Sequence, residues 1–124
     1  MKKRLLFVED DINTQKIYKR MFDSYFLLDI CDNEEAFYSL MNKFKYDLIL
    51  MDISLKGIKD GLQLTKEIKN NNEYKHIPVI CLTAHAFPQD RENAFNSGVD
   101  EFYTKPIEAA RLLQILLNAS ERSN

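Results

Sequence analysis

Short apolar runs and longer amphipathic segments alternate from one end of the chain to the other. The runs of strand length are Leu5–Val8, Phe26–Ile30, Leu48–Met51, Val79–Leu82 and Phe102–Tyr103. Between and after them, apolar residues recur at steps of three and four, the spacing of one helix face. Ile17, Tyr18, Met21, Phe22 and Tyr25 make the first such face, and Ala36, Phe37, Leu40, Met41 and Phe44 the second. Leu64 and Ile68 mark a third, Ala94 and Phe95 a weaker fourth, and Leu112, Leu113, Leu116 and Leu117 a fifth. Punctuation falls at the same places. Asp32 followed by Glu35 has the shape of a capping box, Asp60-Gly61 can open the third helix, and Pro88 suits a first helical turn. Gly98 can close the fourth helix in the left-handed region, and Pro78 sits where a strand begins. Strand and helix in strict alternation predict a parallel sheet covered by helices on both faces. The unbroken Leu48-Ile49-Leu50-Met51 run fits a strand buried on both sides.

Composition narrows the class. At 124 residues the chain suits one domain, and 45% apolar with 29% charged residues excludes a disordered protein. The strand–helix units use almost all of it, leaving residues 1–119 as the domain and Ser120 to Asn124 as a frayed tail. A net charge of -2 leaves no basic footprint for direct nucleic-acid binding. Cys31 and Cys81 lie in apolar stretches without zinc spacing and read as free buried thiols. The basic start Lys2-Lys3-Arg4 is followed by too short an apolar run for a signal peptide. No stretch approaches the ~20 apolar residues of a membrane span. The expectation is a cytoplasmic protein.

In an open parallel sheet, chemistry belongs beyond the carboxyl ends of the strands. The first strand leads there into Glu9-Asp10-Asp11, the third into Asp52, the fourth into Thr83, and the fifth is followed by Thr104-Lys105-Pro106. Two carboxylates about 4–5 Å apart repel by a few kcal/mol at an effective dielectric near 20. A site holding Glu9, Asp10 and Asp52 is therefore frustrated unless a cation enters, and a small set of hard oxygen ligands suits Mg²⁺. Asp52 could then act as a nucleophile toward a phosphoryl group, with Thr83 donating to a phosphoryl oxygen. Lys105 could pair with Asp52 before reaction and with the phosphate after it. Asp11 suits the cap of the first helix better than either neighbour does.

These residues resemble the response-regulator receiver domain, the chemotaxis CheY-like family. The resemblance rests on Leu5-Leu6-Phe7-Val8-Glu9-Asp10-Asp11, Asp47-Leu48-Ile49-Leu50-Met51-Asp52-Ile53, Pro78-Val79-Ile80-Cys81-Leu82-Thr83-Ala84 and Gly98-Val99-Asp100-Glu101-Phe102-Tyr103-Thr104-Lys105-Pro106, in family order over nearly the full chain. It implies a (βα)5 doubly wound, flavodoxin-like fold with strand order 2-1-3-4-5. It further implies Asp52 as phosphoacceptor, Glu9 and Asp10 as the acidic pair that holds Mg²⁺ with Asp10 the direct ligand of the two, Asp52 and the Ser54 backbone carbonyl completing the metal site, and Thr83 and Lys105 as the groups that meet the phosphate. Phe102 matches the switch aromatic, as phenylalanine rather than tyrosine, and Lys105-Pro106 a peptide bond that is usually cis. His85 falls where the family tunes water access to the acyl phosphate. The loop from Asp52 to Asp60-Gly61 departs from the commonest family form by one extra residue. The implied phosphodonor is a sensor histidine kinase or a histidine phosphotransfer protein, and the chain would be a monomer or a phosphorylation-dependent dimer. The domain would catalyse only its own phosphorylation and dephosphorylation. A Mg²⁺-dependent phosphohydrolase using Asp52 as nucleophile is the alternative. It is weakened by Ser54 standing where such enzymes place a second aspartate. A flavin-binding protein is excluded by the lack of a Gly/Ser/Thr-rich loop after the first strand. His76, the Lys66 and Lys69 pair and Asn70-Asn71-Asn72 read as a solvated helix end and turn.

Overall fold

Every apolar run forms a strand and every amphipathic segment a helix in the computed structural model, which describes residues 2–52, 61–84 and 87–122. The elements are β1 (Lys3–Val8), α1 (Ile12–Phe22), β2 (Phe26–Cys31), α2 (Glu34–Lys43), β3 (Leu48–Asp52), α3 (Gly61–Lys69), β4 (Val79–Thr83), α4 (Pro88–Ser97), β5 (Glu101–Thr104) and α5 (Ala109–Ser120). The strands pair in parallel in the order β2-β1-β3-β4-β5, as the resemblance implied. Every residue of β3 and β4 is buried. Their unbroken apolar sequence follows from that, because a central parallel strand has no wet face.

The two-residue repeat of the strands sorts the core into two layers. Leu6, Val8, Ile49, Met51, Val79 and Cys81 pack with Phe37 and Met41 of α2, Leu64 and Ile68 of α3 and Ala94 of α4. Leu5, Phe7, Leu48, Leu50, Ile80 and Leu82 pack with Phe22 of α1 and Leu112 and Leu116 of α5. Each fully buried side chain of this size contributes about 1.5–3 kcal/mol. Cys31 and Cys81 are buried and free, and burial pushes both thiols up to about 12, so neither is a reactive thiolate. Among the described residues no helix is long and apolar enough to cross a membrane.

Local signals hold at Asp11, which caps α1 by accepting from the Thr14 amide, at Pro88, the first residue of α4, and at Gly98, whose φ of 103° closes that helix. Several expectations need correction. Asn33, not Asp32, caps α2, because the helix begins one residue later and Asn33 Oδ1 reaches the Ala36 amide. Ile17 is exposed: α1 turns the Tyr18–Phe22 stripe toward the sheet, and Ile17 lies about 100° round the helix from it. Lys69 is no solvated charge. Its ammonium donates to the carbonyls of Lys75 and Ile77 and to Asp100, tying the end of α3 to the loop ahead of β5. Ser120, placed in the tail from sequence, is buried and ends α5, its hydroxyl donating to the Leu117 carbonyl. Ser54, Asp60 and the rest of the loop between Asp52 and Gly61, together with His85, lie outside the described residues.

Candidate functional site

Parallel strands deliver all their carboxyl ends to one edge of the sheet, and the register decides which residues meet there. Val8 lies beside Met51, so the next residue of each strand, Glu9 and Asp52, are neighbours. Asp52 lies beside Leu82, which puts Thr83 one step beyond it. Thr83 lies beside Thr104, so Lys105 leaves β5 at the same level, its amide bonded to the Thr83 carbonyl at 2.8 Å. Alternation then selects faces. Glu9 and Asp52 continue the layer of Phe7 and Leu50, on the α1/α5 side, whereas Thr83 continues that of Val79 and Cys81.

The two carboxyl groups are almost sealed from solvent, Glu9 and Asp52 each being 1% exposed. Lys105 donates from Nζ to Asp52 Oδ2 and forms an ion pair with it. Burial works against the ammonium charge, but the hydrogen bond and charge of Asp52, with Glu9 and Tyr18 adding, hold the Lys105 pKa above its ordinary value. The Lys105-Pro106 peptide is cis, as expected. Thr83 is fully buried at the end of β4, and Asp10 is half-buried in the turn between β1 and α1.

Glu9 is held on several sides. Its amide donates to the Cys31 carbonyl at 2.9 Å, its carbonyl accepts from Gln15 Nε2 at 2.6 Å, and its Oε2 accepts from the Asp11 amide at 3.1 Å. Among the described residues, Glu9 Oε1 is the one buried side-chain oxygen or nitrogen with no hydrogen-bond partner. Burial, then the hydrogen bond and charge of Asp52, push the Glu9 carboxyl to about 7, against the pull of the Asp11 amide and Lys105. Two buried carboxyls face each other, and the charge on Asp52 raises the cost of ionising Glu9.

No three carboxylate, histidine or cysteine side chains are already gathered round a point among the described residues. Two are, with Asp10 on the adjoining turn. Oxygen donors only, one of them buried without a partner, suit a hard divalent cation that keeps several waters. The arrangement fits Mg²⁺ and does not suit a metal that wants nitrogen or sulfur.

The structure thus brings together Glu9, Asp52, Thr83 and Lys105, with Asp10 at the rim. Phe102 is buried beside α4, its ring centroid 6.4 Å from that of Phe95. Two further residues border the site without a motif to mark them: Gln15, a polar position of α1, and Tyr18, an aromatic on its apolar face. Tyr18 stacks on Phe7 with ring centroids 5.1 Å apart. Its hydroxyl pKa is raised chiefly by burial, with Lys105, Asp52 and Glu9 acting on it as well. The sequence signal for both residues is their place on the first turns after Glu9-Asp10-Asp11.

Comparison with known proteins points to a single family. The family model described as "Response regulator receiver domain" matches residues 5–117. The polar-differentiation response regulator DivK of Brucella anthropi is 33% identical over 118 residues, covering 94% of each chain. The probable transcriptional regulator ycf29 of Porphyra purpurea is 32% identical over 125 residues, where this chain spans only 59% of that relative. Among solved structures, the receiver domain of the sensor histidine kinase PA1611 from Pseudomonas aeruginosa superposes with a TM-score of 0.85 at 30% identity, covering 98% of this chain and 99% of that one. That domain is described with a magnesium ion coordinated in its active-site cleft. A two-component response regulator from Clostridium difficile gives 0.87 at 27% identity, covering 99% of each.

Proposed function

The chain belongs to the response regulator receiver domain family, and on that premise we propose that Asp52 is its phosphoacceptor, working with Lys105, Thr83 and a Mg²⁺ ion. The carrying observation is the placing of Asp52: buried at the end of a central strand, paired with Lys105 and pressed against Glu9. A carboxylate in that position is a poor structural choice, since burial penalises its charge, and a good nucleophile once its neighbours are neutralised.

The reaction is a transfer from a phosphohistidine of a sensor kinase or phosphotransfer protein. One Asp52 carboxylate oxygen attacks phosphorus in line. The new O–P bond forms as the P–N bond to the donor imidazole breaks, and the imidazole leaves with the electron pair and takes up a proton. Lys105 moves its hydrogen bond from the carboxylate to a phosphoryl oxygen, so its charge stays within the site throughout. The Thr83 hydroxyl donates to another phosphoryl oxygen. The proton that burial favours on Glu9 would have to pass to solvent before its carboxylate could hold a cation. Glu9, Asp10, Asp52 and the Ser54 carbonyl would hold Mg²⁺, which when bound supplies positive charge against the anionic phosphoryl group. The charge gained at Asp52 biases a two-state equilibrium of the domain, which is its output.

A phosphohydrolase reading is not favoured: the family match and the structural relatives all belong to signalling domains. The domain modifies only itself, and its place of action is proposed to be the cytoplasm. The test is intact mass after incubation with acetyl phosphate and Mg²⁺. One added phosphoryl group is expected in the wild type, and none in Asp52→Asn or with EDTA. No addition to the wild type, or addition to Asp52→Asn, overturns the proposal.

A further inference from the structure

The peptide that joins Glu9 to Asp10 sits where β1 has ended and α1 has not begun. The β1–β2 ladder finishes at Val8 and Cys31, with the Glu9 amide bonded to the Cys31 carbonyl. The Glu9 carbonyl then accepts from the side-chain amide of Gln15, at 2.6 Å. A peptide unit is planar, so a donor fixed on its oxygen sets the rotation of the whole plane, and with it the directions in which the flanking residues leave. On the other side the turn is pinned by Asp11. Its amide donates to Glu9 Oε2 at 3.1 Å, and its Oδ2 accepts from the Thr14 amide at 2.8 Å and hydroxyl at 2.7 Å. Asp10 is therefore held between two anchored neighbours.

We propose that Gln15 is a positioning residue of the metal site: by holding the Glu9 carbonyl it fixes the plane of the Glu9–Asp10 peptide and so the placing of both carboxylates. This rests on the metal reading given above. The helix itself does not need the bond. The Gln15 amide N–H already reaches the Asp11 carbonyl at 2.9 Å, and Asp11 already caps the first turn. The side-chain bond serves only the strand-to-helix turn. Mg²⁺ demands near-ideal octahedral geometry with short bonds. A peptide plane free to rock would spread the two carboxylates over positions most of which do not fit the ion. Loss of a group that orients metal ligands typically weakens metal binding about 10–100-fold.

Gln15→Met keeps the reach of the side chain and removes the donor. Ile68→Val, which shortens a buried side chain of α3, serves as a control for general destabilisation. Free Mn²⁺, followed by its paramagnetic resonance signal, is titrated against wild type and both variants without phosphodonor, and Mg²⁺ competition then gives the Mg²⁺ affinity. The expected result is wild-type affinity in Ile68→Val and at least about tenfold weaker binding in Gln15→Met. The thermal midpoint of Gln15→Met in EDTA should be no lower than that of Ile68→Val. With acetyl phosphate, Gln15→Met should need more Mg²⁺ for half-maximal rate and recover the wild-type rate at saturation. Gln15→Met binding Mn²⁺ within twofold of wild type overturns the proposal, as does Ile68→Val losing as much affinity as Gln15→Met. A wild type that binds no Mn²⁺ overturns both this proposal and the metal reading. Binding by wild type with no loss in Gln15→Met overturns this proposal alone.

Discussion

Glu9→Gln removes a buried carboxyl whose proton is retained to about pH 7 in the metal-free protein. In the unfolded chain the same carboxyl releases its proton near its ordinary value of 4.5. The folded state therefore binds this proton more tightly, and the linkage has a definite sign. The contribution to stability is fully present below pH 4.5, falls as pH rises toward about 7, and is gone above that. At 1.36 kcal/mol per pH unit, the displacement is worth at most about 3 kcal/mol, an upper bound because Asp52 shares in it. With a urea slope of about 1–3 kcal/mol per molar, that is a midpoint change of about 1 M or more. Urea unfolding in EDTA at pH 4.5 and pH 8 is the assay. Wild type should lose up to about 3 kcal/mol more than Glu9→Gln between these pH values. Mg²⁺ added at pH 8 to a hundred times its dissociation constant should return about 2.7 kcal/mol to wild type, and clearly less to Glu9→Gln at the same concentration. Parallel losses in the two proteins would refute the reasoning, because the retained proton would then not reside on Glu9. An Mg²⁺ effect of equal size in both would refute the assignment of Glu9 as a ligand.

Other perturbations probe the ion pair, the helix ends and the core. Lys105→Met leaves Asp52 buried without its ammonium partner and should slow phosphoryl gain from acetyl phosphate by about 10²-fold, read by mass spectrometry over time; an unchanged rate contradicts its role. Gly98→Ala places a Cβ 2.8 Å from Lys69 Cγ at a φ of 103° and should cost about 1–2 kcal/mol or more. Lys69→Ala removes the Cγ contact but also the bonds to Lys75, Ile77 and Asp100, so the double variant is compared with Lys69→Ala alone; no further loss from Gly98→Ala in that background contradicts the left-handed strain expected of alanine at this position. Leu116→Ala opens the α5 side of the core, where Leu116 is fully buried, and should cost about 2–5 kcal/mol in urea unfolding. A loss below about 1 kcal/mol would contradict its place there.

The sheet was legible because its central strands have no wet face: runs such as Leu48-Ile49-Leu50-Met51 admit little else between helical segments. The site was legible for a related reason. Parallel strands end together, so Glu9, Asp52, Thr83 and Lys105 could be gathered from their positions at strand ends alone. What sequence missed depends on contacts between distant residues or on a single step of register. Lys69 read as solvated because its partner Asp100 is 31 positions away. Asn33 displaced Asp32 as a cap because adjacent Asx residues are equally able to cap, and the start of the helix decides between them. Ile17 and Tyr18 share a helical pattern, and only the angle at which α1 meets the sheet packs Tyr18 against the core and leaves Ile17 exposed. Gln15 carries no pattern of its own; its bond to the Glu9 carbonyl is visible only once the turn has a shape.

Asp52 is the proposed site of phosphorylation, and an acyl phosphate has a chemistry that reports its position. Borohydride reduces an aspartyl phosphate to homoserine and leaves unmodified carboxylates and phosphate esters intact. The protein is phosphorylated with acetyl phosphate and Mg²⁺, reduced, digested and mapped by peptide mass. Homoserine is predicted at position 52 and nowhere else, and is absent when EDTA replaces Mg²⁺. Homoserine at Asp10, Asp11 or any other aspartate with Asp52 unchanged would contradict Asp52 as the phosphoacceptor.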